Sequence, residues 1–205
     1  MQHFYHTIQG WCGGIDGFYS AILKNIPSPV TRINPQSGKI EMQNDRQYHF
    51  VEVGCWKGMS AAYMAVEIIN SGKNIKFDCV DTWRGGIEHQ ALPEVINDTL
   101  YQEFLNNMKP VEGYYTAIRM PSVEAAATYE DNSLDMVFID AGHDYESVKA
   151  DIIAWMPKLR LGGIMGGHDY NPNDRGGVYD AVAEVLPDHK TVNTGAVIWY
   201  TQKVS

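Results

Sequence analysis

The sequence predicts a doubly wound α/β fold, a mostly parallel sheet with helices on both faces and an antiparallel hairpin at its C-terminal end. Three observations carry this expectation. Short apolar runs alternate with amphipathic stretches along most of the chain, which is the pattern of strand–helix–strand units. Several of those runs end in glycine or acidic residues, as strands do when they feed a ligand-binding edge. The last two strand-like runs, 190–192 and 196–200, follow one another without a helix, so they add an antiparallel edge to a parallel sheet. At 205 residues, one domain with a core on both sides of the sheet is expected over 1–205. Within it, 1–47 reads as an N-terminal helix and connection, and 84–113 as an insertion at the mouth of a cleft.

Ile15, Phe18, Tyr19, Ile22, Leu23 and Ile26 fall at helical spacing, and Pro27 and Pro29 stop that helix. The polar, proline-containing stretch 27–47 reads as a surface connection. Trp11 reads as a packed core residue, a lid over a neighbouring cleft being the alternative. Tyr48 to Val53 is a short strand that runs into Gly54, Gly58 and Ser60, where the apolar helix Ala61 to Ile69 begins. Strand, glycine turn and helix start form half of a nucleotide-binding α/β unit. The glycines let the backbone approach a ligand, and the free amides of the helix start add polarity. The pattern Glu52-x-Gly54-x-x-x-Gly58-x-Ser60 lacks the middle glycine that close pyrophosphate approach requires. Glu52, two residues before the first glycine, suits a cationic or amine-bearing ligand instead.

The next strand, Ile75 to Val80, ends at Asp81, the place where a carboxylate accepts from the two hydroxyls of a ribose. Capping is the alternative for Asp81. Trp83 is placed to cover the adenine or the sugar face. A helix is expected over Pro93 to Lys109, with Ile96, Leu100, Phe104 and Met108 on one stripe. A strand from Tyr114 to Met120 follows, and Ser122 at the start of the next short helix is placed for an adenine contact. Leu134 to Ile139 is a buried strand that delivers Asp140 and His143. Val148, Ile152 and Trp155 mark one face of the helix after it. A turn at Leu161, another strand and then His168 and Asp169 complete the pattern. Four polar groups from two neighbouring strands thus reach the carboxyl edge of one sheet, where ligands bind in such folds.

The balance of 16 basic to 25 acidic residues, net −9, argues against nucleic acid or an anionic membrane as partner. Cys12, Cys55 and Cys79 are odd in number and irregularly spaced, so neither a disulfide framework nor a zinc knuckle is expected, and a reducing cytoplasm fits. The N-terminus lacks the charge and apolar regions of a secretory leader, and no apolar run reaches membrane length.

The ordered set Glu-x-Gly-x-x-x-Gly-x-Ser, Asp81-Thr-Trp83, Phe-Ile-Asp140-Ala-Gly-His143-x-Tyr145 and Gly-Gly-His168-Asp169-Tyr170 resembles one family. It is similar to the small, metal-dependent class I S-adenosylmethionine-dependent O-methyltransferases, grouped with macrolide-sugar O-methyltransferases and cephalosporin hydroxylase-type proteins. The resemblance spans nearly the whole chain and implies the Rossmann-like methyltransferase fold. It implies S-adenosylmethionine held by Glu52, Gly54, Gly58, Ser60, Asp81, Trp83 and Ser122. It also implies a divalent metal, magnesium or manganese, on Asp140, His168 and Asp169, with His143 as base and Asp140 sharing in catalysis. The implied acceptor is a hydroxyl of a sugar, glycan or natural product, and the chain itself is compatible with a homo-oligomer. His168 departs from the all-oxygen set of catechol O-methyltransferase, which moves the preference from magnesium toward manganese, iron or zinc. A metal-dependent hydrolase is one alternative, although it leaves Glu52 and Asp81 without a task. A catalytically silent cofactor-binding protein is the other.

Overall fold

The structure is a computed structural model that describes residues 1–28, 30–43, 46–173 and 175–204. The chain runs through α1 (Ile15–Lys24), β1 (Val30–Ile33), β2 (Ile40–Gln43), β3 (Tyr48–Val53), α2 (Met59–Ser71) and β4 (Ile75–Asp81). It continues through α3 (Pro93–Ile96), α4 (Leu100–Met108), β5 (Thr116–Arg119), α5 (Ser122–Ala126), β6 (Leu134–Ile139) and α6 (Tyr145–Trp155). Then come β7 (Leu159–Gly167), α7 (Val178–Val185), β8 (Lys190–Asn193) and β9 (Val197–Gln202).

A seven-stranded sheet has the order β5-β4-β3-β6-β7-β9-β8. Its pairs from β5 to β7 are parallel, and β9 runs antiparallel to both β7 and β8. The expected doubly wound sheet and terminal hairpin are therefore present. The chain starts the sheet at β3 and winds outward to β4 and β5. It then crosses back to β6 on the other side, and the crevice left at that reversal is where such sheets bind ligands. Side-chain alternation divides the core between the two faces. Phe50, Phe77 and Phe138 pack with α1, α2 and α4, whereas Val51, Val80, Val137 and Ile139 pack with α5, α6 and α7.

Three elements differ from the sequence reading. The stretch read as a surface connection contains the β1–β2 hairpin, paired from Val30↔Gln43 to Ile33↔Ile40. Its turn is organised by Asn34, whose side chain accepts from the amides of Gln36 and Ser37. Pro29 of that stretch lies outside the described residues. The single helix expected over Pro93 to Lys109 is broken by Asp98, which takes a left-handed φ of 52° and pairs with Arg119. Leu159–Gly167 is one long strand rather than a turn followed by a strand. It absorbs Gly162, at φ 78°, where the register against β6 shifts.

Beneath the β3 end, α1 meets the sheet through a polar contact. Glu52 is only 1% exposed, and its two oxygens accept from the Tyr19 hydroxyl at 2.7 Å and the Ser60 hydroxyl at 2.7 Å. Burial pushes its carboxyl up to about 7, against the pull of those two donors. A carboxyl raised in the fold from an unfolded value near 4.5 contributes fully below that value. The contribution is lost as pH rises toward 7. Glu52→Gln should therefore gain stability relative to wild type between pH 5 and pH 8, by on the order of 3 kcal/mol. Urea denaturation at the two pH values measures it, and a pH-independent difference would place the burial cost elsewhere.

Candidate active site

A cleft of about 600 Å³ opens at the carboxyl ends of the parallel strands. Its wall on the β3 side is the turn after Val53. Gly54, at φ 85°, donates its amide to Val80 O at 2.8 Å, and Asp140 donates its amide to Val53 O at 2.8 Å. A Cβ on Gly54 would lie 2.0 Å from the Asp140 carbonyl oxygen, so the glycine is required by the neighbouring strand end as well as by any ligand.

Asp81 holds the rest of this turn. One carboxylate oxygen accepts from the amides of Cys55 at 2.8 Å and Trp56 at 2.9 Å, and the other from Trp83 N at 2.7 Å. Burial raises its pKa, and the three backbone donors oppose the rise. Asp81 does not act as the helix N-cap that was the alternative, since the N-cap of α2 is Gly58; its carboxylate holds turn amides and also lines the cleft.

Three expected cofactor contacts are corrected. Trp83 is fully buried, packed on Tyr101 and Phe104, and its indole N–H donates to Trp56 O at 2.8 Å. Its ring braces the turn from the core and does not line the cleft. Gly58 is not a lining residue either: a Cβ there would meet Phe104 and Met108 at 3.1 Å, so its role is close packing against α4. Glu52 lies behind the wall with both oxygens engaged, since the apolar cover of α1 leaves it no opening to the cleft. Gly54, Ser60, Asp81 and Ser122 do line it.

Trp11 reverses the expected preference. It is 64% exposed and forms part of the cleft rim with Trp56 and His89, their ring centroids 4.4 to 6.2 Å apart. The segment that follows it is held against the β8–β9 turn, where Thr194 Oγ1 donates to Gly14 O at 2.6 Å. Trp56 was missed by sequence reasoning. Its position inside the glycine turn was the available signal, and its backbone takes a left-handed φ of 48°. Asp151 was missed as well. It stands on the α6 stripe with Val148, Ile152 and Trp155, where an acidic residue is the exception.

At the other end of the cleft, Asp140, His143 and Asp169 each offer a ligand atom within 4.8 Å of the others. His143 Nε2 lies 3.0 Å from Asp169, and its side chain is 46% exposed toward the cleft mouth. His168 is set back. Its Nε2 pairs with Gly13 O at 3.0 Å while its Nδ1 faces Asp169 at 3.1 Å and Asp140 at 3.6 Å. Beside the expected trio of Asp140, His168 and Asp169, His143 also comes together with the two carboxylates among the described residues, while His168 reaches them with Nδ1 only. The reason is the N-terminal segment, whose Gly13 carbonyl captures the outer His168 nitrogen.

The charges follow this packing. Burial pushes Asp140 up to about 6, with nearby Asp169 adding to the rise and His168 and His143 opposing it. Burial would also raise Asp169, but hydrogen bonds from His143 and His168 outweigh it and hold this carboxyl well below the usual range. His168 loses to burial yet gains more from Asp169 and Asp140, and stands at about 9. His143 is raised, chiefly by its hydrogen bond to Asp169. Two crowded carboxylates with mixed oxygen and nitrogen donors fit a divalent cation and suit manganese, iron or zinc better than magnesium.

Sheet order, crevice and polar edge together define a class I methyltransferase fold. The family model described as a methyltransferase domain matches residues 51–170, more than half of the chain, and the chain belongs to that family. The O-methyltransferase NovP superposes with a TM-score of 0.62 at 14% identity, over 93% of this chain and 78% of that one. The calicheamicin methyltransferase CalS11 gives 0.59 at 15% identity, over 92% and 76%. An S-adenosylmethionine-dependent O-methyltransferase from Thermotoga maritima gives 0.57 at 12% identity, over 93% and 64%. These likenesses establish the fold. An uncharacterised protein of Sinorhizobium fredii, y4gI, is 27% identical over 149 residues, which are 72% of this chain and 16% of that protein. No helix among the described residues is long and apolar enough to cross a membrane.

The Asp81 geometry makes a testable claim. Asp81→Ala strands three backbone donors, so the ligand-free protein should lose about 1–3 kcal/mol of stability. Chemical denaturation checks this, and an unchanged midpoint would restrict Asp81 to ligand contact.

Proposed function

We propose that the protein transfers the methyl group of S-adenosylmethionine to a hydroxyl of a small molecule, a sugar, glycan or natural product, with a divalent cation assisting. The observation that carries this reading is one cleft with two dissimilar ends. A braced glycine turn with Asp81 lies at one end, and paired carboxylates with an exposed histidine lie at the other. NovP and CalS11, described as an O-methyltransferase and a TDP-rhamnose 3'-O-methyltransferase, support the hydroxyl acceptor. The family match removes the basis for a metal-dependent hydrolase.

In this reading the Gly54–Trp56 turn and Asp81 hold the nucleoside, and Ser60 closes the floor behind it. Asp140 and Asp169 would hold the cation, which would supply charge neutralisation at the acceptor oxygen. His168, pinned to Gly13, fixes Asp169 from behind. His143 is the most exposed of the group; its Nε2 donates to Asp169, which leaves Nδ1 to take the hydroxyl proton. Trp11 and Trp56 wall the acceptor space, and orientation there supplies further acceleration. Soluble expression in a reducing cytoplasm, a small-molecule partner and self-association remain part of the proposal.

Chelation should abolish methyl transfer, and manganese should restore it. Turnover undiminished in metal-free protein would remove the cation from the proposal. His143→Ala should cut turnover by roughly 10²–10⁴-fold while the metal dependence of the residual rate stays the same. A variant that instead needs far more manganese would show that His143 is a ligand rather than the base. Detectable turnover on any acceptor also excludes a silent binding protein.

A further inference from the structure

The mouth of the cleft has a surface that the methyl-transfer reading leaves without a task. It is built by the loop after β4, which brings Glu88 and His89 into the cleft wall. Gly85, at φ 67°, lets this loop fold tightly, since a Cβ there would lie 2.8 Å from His89 Cβ. The Gln90 side chain holds the turn, donating to Arg84 O at 3.1 Å and to Gly86 O at 3.0 Å. His89 Nδ1 accepts from Gly86 N at 3.2 Å, which sets its ring 4.4 Å from that of Trp56. Trp11 completes the rim, 6.0 Å from His89 and 6.2 Å from Trp56. Glu88 lies beside these rings with its side chain 53% exposed. Its ion-pair contacts are His89 Nδ1 at 3.7 Å, which already accepts, and His143 Nδ1 at 3.8 Å. Both are beyond hydrogen-bond distance.

Among the described residues no Lys or Arg lines the cleft. Lys57 is engaged by Glu94 and Glu103, Arg119 by Asp98 and Lys149 by Glu184. Arg84 is exposed and outside the lining. A phosphate-bearing acceptor would therefore meet neither a guanidinium nor an ammonium at this mouth. A carboxylate with no cation beside it, next to indole faces, instead suits an ammonium, through charge pairing and attraction to the rings. We infer that the acceptor is an amine-bearing ring whose ammonium sits between Glu88 and the indoles of Trp11 and Trp56. Glu88 adjoins His143 Nδ1, the atom that takes the hydroxyl proton in the proposed reaction. The methylated hydroxyl is then the neighbour of the amine on the ring, as in an amino sugar. The ammonium has no lone pair, so it anchors the ring and is not itself methylated.

This inference rests on the proposed methyl transfer to a hydroxyl. Protein saturated with S-adenosylhomocysteine and manganese is titrated calorimetrically near neutral pH with methyl glucosaminide, methyl glucoside and TDP-glucose. Methyl glucosaminide should bind roughly 3–10-fold more tightly than methyl glucoside, and TDP-glucose should gain nothing over methyl glucoside. Added salt should narrow the preference for the amine. Glu88→Gln, which keeps the shape and removes the charge, should bring the two glycosides close to parity, with S-adenosylhomocysteine binding as the check that the variant is folded. If wild type does not bind S-adenosylhomocysteine, the cofactor reading fails and this inference with it. If it does, and it prefers TDP-glucose, shows no preference for the amine or binds none of the three, the cofactor reading stands and the amine-bearing acceptor is overturned. A preference for the amine that persists in Glu88→Gln would likewise overturn the assignment to Glu88.

Discussion

The site depends on the grip of one carboxylate on one turn. Asp81 engages the amides of Cys55, Trp56 and Trp83, so the ends of β3 and β4 move as one unit. Trp83 adds a second brace from the core by donating to Trp56 O. Trp56 can therefore keep a left-handed backbone, uncommon for a large side chain, and turn its ring to the cleft rim against His89. Charge-assisted bonds to backbone amides are among the stronger ones available to a carboxylate, and three converge here.

The opposite wall is set by close approach rather than by charge. Gly54 and Asp140 are backbone neighbours with no space for a Cβ between them. The glycine turn and the polar edge of β6 are therefore fixed relative to one another. A shift at either would move both ends of the cleft. The N-terminal segment closes the circuit through Gly13 and His168, which ties the exposed rim at Trp11 to the Asp140 and Asp169 end of the cleft. Lys57 adds a further tie, from the turn to Gln9 and to Glu94 and Glu103 of the inserted helices.

Much of the fold was legible because apolar periodicity and glycine placement report directly on strands, helices and the crossover order. The β1–β2 hairpin was not, since its strands have four residues each and its turn relies on Asn34 rather than on a strong apolar pattern. The helix break at Asp98 was hidden because apolar spacing continues across it. In the site, the chemistry-bearing residues were legible, but their directions were not. Glu52 and Trp83 have the residue types of cofactor contacts, yet tertiary packing turns both into the core. His143 and His168 look alike in sequence, and the Gly13 carbonyl, 155 residues from His168, decides which one sits back. Asp151 was readable in principle as an acid on an apolar stripe.

The central claim is that the braced turn forms a nucleoside site independently of the cation site at the other end of the cleft. Calorimetric titration of S-adenosylhomocysteine into wild type, with chelator and then with manganese, addresses it most directly. The account predicts one ligand per chain with closely similar affinity in both conditions. Binding only in the presence of manganese, or no binding in either, would contradict it.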